Sequence, residues 1–410
     1  MRRSIAIIAL ASALSTATGA VLAQSVDAPP AASASDSAAT AKEGKRALSA
    51  AQARLAWRLI QDAAPGADPT ISPAGLASVF AVLSGGADAK MKSGIVKAMG
   101  FDAADAKLGL SALNAARDSV ADADPDVFVS KDLIVFAPSP PPNPIFLAGL
   151  GALHVAYSVD DLSKIEAVKK IDAWVNETTK GAIPEILGQP LEKAELVALN
   201  ALHFKAKWKT PFDPNATAEA PFTNADKKPD KVMMMRLPEA QRSFRQAKGL
   251  IGVDLPFSGD RFSLIVVTST DAPKTAKDFS EAANWLSGEG FEPHKGDIAL
   301  PRFSLQGRAS LLPSLTKSGL GEGMKSPTAL AAFGAGSVIT QIEQRAMIDV
   351  NEEGAEAAAA TAVIVGRSLE LDEPLHMVVD KPFLFALRDR QSGLILAAGY
   401  VGHAPKGKGA

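Results

Sequence analysis

The chain has no cysteine among its 410 residues, which removes disulfides, thiolate nucleophiles and thiolate metal ligands at once. Stability must come from packing, and a chain of this length can bury a core large enough for that. Net charge is nearly absent too. The 43 Lys and Arg against 45 Asp and Glu give a formal charge of −2, and the basic residues are dispersed, so no field is available to hold nucleic acid. The five histidines, His154, His203, His294, His376 and His403, form no ligand pair of the H-E-x-x-H kind, so neither a metal nor any other cofactor is expected. There is no G-x-S-x-G elbow and no Walker loop. Gly319-Leu320-Gly321-Glu322-Gly323 is glycine-rich, but it lacks dinucleotide spacing and reads as a loop. With no nucleophile paired to a base, the chain does not read as an enzyme.

Long apolar runs are missing as well, and with them a membrane anchor. What stands at the N-terminus is a short positive head, Met1-Arg2-Arg3, then Ser4 to Ala20 diluted with Ala, Ser, Thr and Gly, then Val21-Leu22-Ala23. This predicts a signal peptide over 1–23, cleaved near Ala23-Gln24, and a secreted or periplasmic protein. Residues 24–45 collapse to Ala, Ser, Pro, Asp and Thr and read as a disordered linker. Residues 46–405 read as one domain and 406–410 as a tail.

Within the domain, Leu48, Ala51, Leu55, Leu59 and Ile60 recur at helical spacing, and Ser72-Pro73 opens a second helix with Ser as N-cap. A third runs from about Ile165 to Asn176. Strand-like runs follow at Leu196 to Phe204, Lys231 to Met235, Phe262 to Thr268, Ile298 to Leu305, Met347 to Val350, Phe383 to Arg388 and Leu394 to Val401. Helices followed by strands predict an α+β fold.

The segment from Asn351 to Leu369 is unusual. Its Ala-rich start would suit a helix, but Gly354 interrupts it and β-branched residues follow. As a strand, one face carries Ala355, Ala357, Ala359, Thr361, Val363 and Val365, with no charge; Glu356 lies opposite, and no proline occurs between Glu352 and Glu373. Such a segment can enter the middle of a sheet. It runs directly into a protease-cleavable Gly366-Arg367-Ser368-Leu369.

Together these residues resemble the serpin family. Asn351 to Thr361 is similar to the serpin hinge, and Val365 to Leu369 resembles the reactive loop of the antithrombin type. Ser72-Pro73 is similar to the family's opening of a second helix, with Asp68 where the family has Asn. Ala173-Trp174-Val175 through Thr179 to Ile183 is similar to the end of the helix that crosses the main sheet. Asn200 to Trp208 with Pro211-Phe212, Leu300-Pro301-Arg302-Phe303, Lys381 to Phe385, and Gly393 to Leu396 with Gly399 complete the set.

The resemblance implies a large central, mostly antiparallel sheet with smaller sheets, surrounding helices and an exposed reactive-centre loop. It implies an inhibitor that works as a suicide substrate: the target's serine forms an acyl-enzyme, and the cleaved loop inserts as a new strand. The alternative is a non-inhibitory serpin-fold binding or chaperone-like protein. The implied hinge is Glu352, Glu353, Gly354, Ala355, Glu356, Ala357, Ala358, Ala359, Ala360 and Thr361. The implied shutter and breach, where the sheet opens, hold Ser72, Asn200, Trp208 and Gln344. Gly75 stands where the family usually has Ser and Gln344 where it usually has His, so an altered latch is expected, bridged by the Gln amide. Counting from Gly354 places the scissile bond after Ser368, whereas the Gly-Arg-Ser-Leu alignment places it after Arg367. The second is favoured, with a trypsin-like serine protease as partner; Leu369 leaves a chymotrypsin-like one open. Between Ala103 and Asp126 only Lys107 and Arg117 are basic, so heparin is not expected as a cofactor. A monomer is expected.

Overall fold

A computed structural model of the chain describes residues 34–63, 66–102, 106–122, 124, 126–152, 155–354 and 373–407. The signal-peptide segment lies outside these residues, as does the linker as far as residue 33. The chain divides into two units, Met1–Thr40 and Ala41–Ala410; of the first, residues 34–40 are described, as helix.

The helices are α1 (Ala34–Gln61), α2 (Pro73–Gly85), α3 (Ala89–Ala98), α4 (Ala106–Ala121), α5 (Pro144–Ala152), α6 (Ile165–Thr178), α7 (Leu312–Leu315) and α8 (Gly321–Met324). The α1 helix expected from Leu48 begins at Ala34, inside the stretch read as a disordered linker. Alanine is the strongest helix former, and no proline stands between Pro30 and Pro65 to stop it. Helix α2 begins as the sequence predicts: Ser72 is the N-cap, its Oγ accepting from Gly75 N at 3.0 Å, with Pro73 in the first turn. Its residues from Pro73 to Ser84 are all buried, the pattern of a helix enclosed on every side.

Of the stretch that reads as a loop, Gly319 is a non-helical kink at φ 126°, while Gly321 to Gly323 lie in the short helix α8. The segment Thr316–Leu320, kinked at Gly319, joins α7 to α8. The glycines allow close backbone approach: a Cβ on Gly94 of α3 would lie 3.0 Å from both Gly319 O and Gly323 Cα.

The strands are β1 (Thr70–Ile71), β2 (Phe128–Phe136), β3 (Ala156–Val159), β4 (Leu196–Phe204), β5 (Ala218–Thr223), β6 (Pro229–Ala247), β7 (Leu250–Pro256), β8 (Phe262–Ser269), β9 (Glu292–Pro301), β10 (Phe303–Ser310), β11 (Ile339–Val350), β12 (Leu375–Val378), β13 (Phe383–Asp389) and β14 (Ile395–Val401). A nine-stranded sheet runs β1-β14-β13-β8-β7-β6-β9-β12, with β5 beside β6. It is antiparallel except where β12 joins β9. A five-stranded sheet runs β10-β11-β4-β2-β3. It is mixed: β10–β11 and β4–β2 are antiparallel, β11–β4 and β2–β3 parallel.

On one face of the five-stranded sheet, Val168, Ile171 and Val175 of α6 bury against Leu133 and Val135 of β2, Val197, Leu199 and Ala201 of β4 and Met347 of β11. The segment after α6 is drawn back onto it: Asp172 accepts from the amides of Ile186 (2.8 Å), Leu187 (2.9 Å) and Gly188 (3.0 Å). Helix α2 packs against β2 and β4 and contributes to the main core.

Candidate functional site

The parallel pair β4–β11 is the axis of the site. Its register places Leu196 beside Ile339, Asn200 beside Gln344 and Phe204 beside Ile348. Both strands end at the same pole, where the chain leaving β11 at Val350 turns back on itself. Asn351 N donates to Gly354 O at 3.0 Å, and Asn351 Oδ1 accepts from the amides of Glu353 and Gly354. Gly354 has φ 135°, and a Cβ there would sit 2.1 Å from Ala206 O. Only glycine serves this reversal.

Trp208 closes the pole. Its amide donates to Glu353 O at 3.0 Å and its indole Nε1 to Asn351 O at 2.8 Å, while its ring stacks on Phe257 with centroids 4.3 Å apart. Phe212 N donates to Glu352 O at 2.8 Å. The buried Glu352 carboxylate accepts from Thr217 Oγ1 at 2.7 Å and from Arg302. Burial pushes its pKa up, but these hydrogen bonds outweigh burial, and the net shift is downward.

Half-way along the same pair lies a second polar cluster. Gln344 on β11 accepts from Ser72 N at 2.6 Å through Oε1, and its Nε2 donates to Ser72 O at 2.9 Å and to Asn200 Oδ1 at 3.1 Å. On the far side, Asn200 Nδ2 donates to Ser130 Oγ at 3.0 Å and Asp132 Oδ1 at 2.8 Å, both on β2. Ser78 of α2 donates to the other Asp132 oxygen. Desolvation outweighs the hydrogen bonds of Ser78 and Asn200 and pushes the Asp132 carboxyl up to about 6. Hydrogen bonds therefore tie β11 to β4, β4 to β2, β11 to the N-cap of α2 and β2 to α2 itself.

Of the residues singled out in the sequence, Ser72, Asn200 and Gln344 converge directly. Trp208 stands apart at the pole with Glu352, Glu353 and Gly354. The remaining residues expected in the hinge, Ala355 through Thr361, and those expected at the reactive bond, Arg367, Ser368 and Leu369, lie outside the described residues. Arg302 and Thr217, which hold the Glu352 carboxylate, were not singled out from sequence, although Arg302 stands in one of the motifs noted. Asp132, Ser130 and Ser78 were missed altogether. For Asp132 the available signal was the charged pair Lys131-Asp132 between Val129 and Leu133, in a stretch not read as a strand. Among the described residues no group of three or more His, Asp or Glu could hold a metal ion, and no helix is long and apolar enough to cross a membrane.

Comparison with known proteins bears on this arrangement. Residues 50–403 match the family described as Serpin (serine protease inhibitor). The leukocyte elastase inhibitor of Bos taurus is 30% identical over 373 residues, covering 86% of this chain and 98% of that protein. Serpin B8 of Bos taurus is 33% identical over 258 residues, covering 57% and 65%. Among solved structures, AtSerpin1 of Arabidopsis in its native stressed conformation has a TM-score of 0.75 at 21% identity, covering 88% of this chain and 98% of that one. Serpin48 of the insect Tenebrio molitor has a TM-score of 0.74 at 24% identity, with the same coverage. At these identities the structural likeness speaks for the fold, and the sequence match over most of the chain speaks for descent. With helices, a five-stranded mixed sheet, a larger second sheet and a sequence that matches the family model over residues 50–403, the chain belongs to the serpin family.

Proposed function

We propose that this serpin is inhibitory and traps a trypsin-like serine protease as a covalent acyl-enzyme. The target's serine Oγ attacks the carbonyl carbon of Arg367, and the peptide bond to Ser368 breaks. The Ser368 amine leaves with the proton carried by the protease's general base. The ester persists because the freed strand, led by Ala355, enters the sheet between β4 and β11 before water hydrolyses it. A guanidinium at position 367 suits an acidic specificity pocket, and the likeness of Val365–Leu369 to the antithrombin reactive loop supports the same bond.

One observation carries the reading: β4 and β11 are parallel neighbours, and the chain leaving β11 reverses at Gly354 directly above their shared end. A strand that continues from this reversal runs antiparallel to β11, and therefore to β4 as well. Both new ladders would be of the more stable antiparallel kind. Polyanion activation forms no part of this proposal; on α4 the basic residues are Lys107 and Arg117, and Arg117 pairs with Asp118. Export through the signal-peptide-like segment 1–23 belongs to the proposal and is supported by the sequence pattern.

The test is incubation of the protein with trypsin. A complex that survives SDS, together with a released C-terminal peptide beginning at Ser368 by mass spectrometry, is the expected result. Cleavage without complex overturns inhibition in favour of a binding role, and a peptide beginning at Leu369 moves the bond to Ser368.

A further inference from the structure

The cluster at the middle of the β4–β11 seam contains one ionisable group, Asp132, and it is placed unusually. The carboxyl takes hydrogen bonds from two neutral donors, Ser78 and Asn200, and no cation is hydrogen-bonded to it. Helix α2 carries no charged residue. On β4 the one titratable group is His203, which pairs in register with Val129 rather than with Asp132. On β11, Glu343 and Arg345 flank Gln344 and project to the opposite face of the sheet. On β3 the titratable group is Tyr157. Lys131 precedes Asp132 on β2 and acts on it only as a weaker, through-space charge. A carboxylate held this way lacks the pairing that offsets loss of water.

Asn200 is the shared element. The same side chain that holds the Asp132 carboxyl through Nδ2 holds Gln344 across the seam through Oδ1. Separating β4 from β11 breaks the Gln344 contact and gives water a route to Asn200 and to the carboxyl behind it. Hydration favours the ionised form, so the open seam binds its proton less tightly than the closed one. By linkage the proton must then favour closure.

We propose that Asp132 is a proton-operated regulator of the seam: protonated, it favours the closed β4–β11 pair, and ionised, it favours opening. This rests on the reading that a strand enters between β4 and β11. The upward shift of the Asp132 pKa agrees with the direction, because the closed state already resists ionisation. The protein therefore admits a strand readily at neutral pH and slowly in mildly acidic surroundings.

The experiment uses the full chain and a fluorescein-labelled peptide with the sequence of residues 355–365 as a probe strand, with incorporation followed on native gels from about pH 5 to about pH 7.5. The expected incorporation rate rises about tenfold across this range, with a midpoint near the pKa of the closed state. In Asp132→Asn, whose amide can accept from Asn200 and donate to Ser78, the rate is slow and flat. Ser78→Ala removes a donor to the ionised form and shifts the midpoint to higher pH, which a variant that merely loosened the fold would not do. A flat wild-type profile, or one retained unchanged in Asp132→Asn, overturns the regulator while leaving insertion intact. Failure of the peptide to incorporate at any pH overturns both.

Discussion

At the scale of single residues, the middle of the seam shows how one side chain excludes another. A Cβ at Gly75 would lie 1.9 Å from Asn200 Oδ1, so the absence of a side chain at 75 and the orientation of Asn200 are a single feature. Gly75, a departure from the family pattern in sequence, makes room for an amide that bridges β2, β4 and β11. Gln344, the other departure, completes the latch with both ends of its amide, as the chemistry of that side chain allows. Gly75→Ala is expected to cost about 2 kcal/mol, the usual penalty of overpacking a filled site, even though alanine favours the helix. Urea unfolding measures it, and an unchanged midpoint would show that Asn200 has another position to occupy.

At the scale of elements, charge decides what can become a strand. The pairing of β4 with β2 and β11 was half legible: β4 was read with its correct ends, whereas β2 was not read at all. Ser130-Lys131-Asp132 interrupts its apolar pattern, because those polar groups face the Asn200 cluster or solvent rather than the core. Strand β11 begins eight residues before the expected Met347, at Ile339. Its polar residues Glu343 and Gln344 are buried with partners that a linear pattern does not display. The same rule applied to the hinge gives a prediction. Ala357 belongs to the uncharged alternate face, and Ala357→Arg would bring an unpaired guanidinium into the sheet at a cost of several kcal/mol. Mixed with trypsin and run on a denaturing gel, this variant is expected to be cleaved and released as a substrate. A stable complex formed as efficiently as by the wild type would argue against insertion.

At the scale of the whole molecule, the proposed insertion asks the described sheet to take up a second arrangement. Helix α6 lies over β2, β4 and β11, α2 lies beneath, and polar ties hold the seam at its pole and at its middle. An added strand would exchange one parallel pairing for two antiparallel ones. With roughly 1 kcal/mol for each new backbone hydrogen bond, the gain is on the order of 10 kcal/mol. Protein cleaved at Arg367 is therefore expected to melt well above the intact chain. Calorimetry on the two forms checks this, and equal melting temperatures would mean that the cleaved strand stays outside the sheet.

Family and fold class were determined by the sequence alone, and Ser72, Asn200, Trp208, Gln344 and Gly354 stand out in it. They rest on local signals: a cap before a proline, an apolar run, a glycine before a chargeless face. The tertiary structure alone decided which polar groups meet. Gln344 finds Ser72 across 272 residues and Asn200 across 144, and Asp132 joins them from a strand the pattern had concealed. The physical reason is that burying apolar surface depends on periodicity along the chain, whereas a buried hydrogen bond needs one particular partner, delivered only when distant strands and helices have packed.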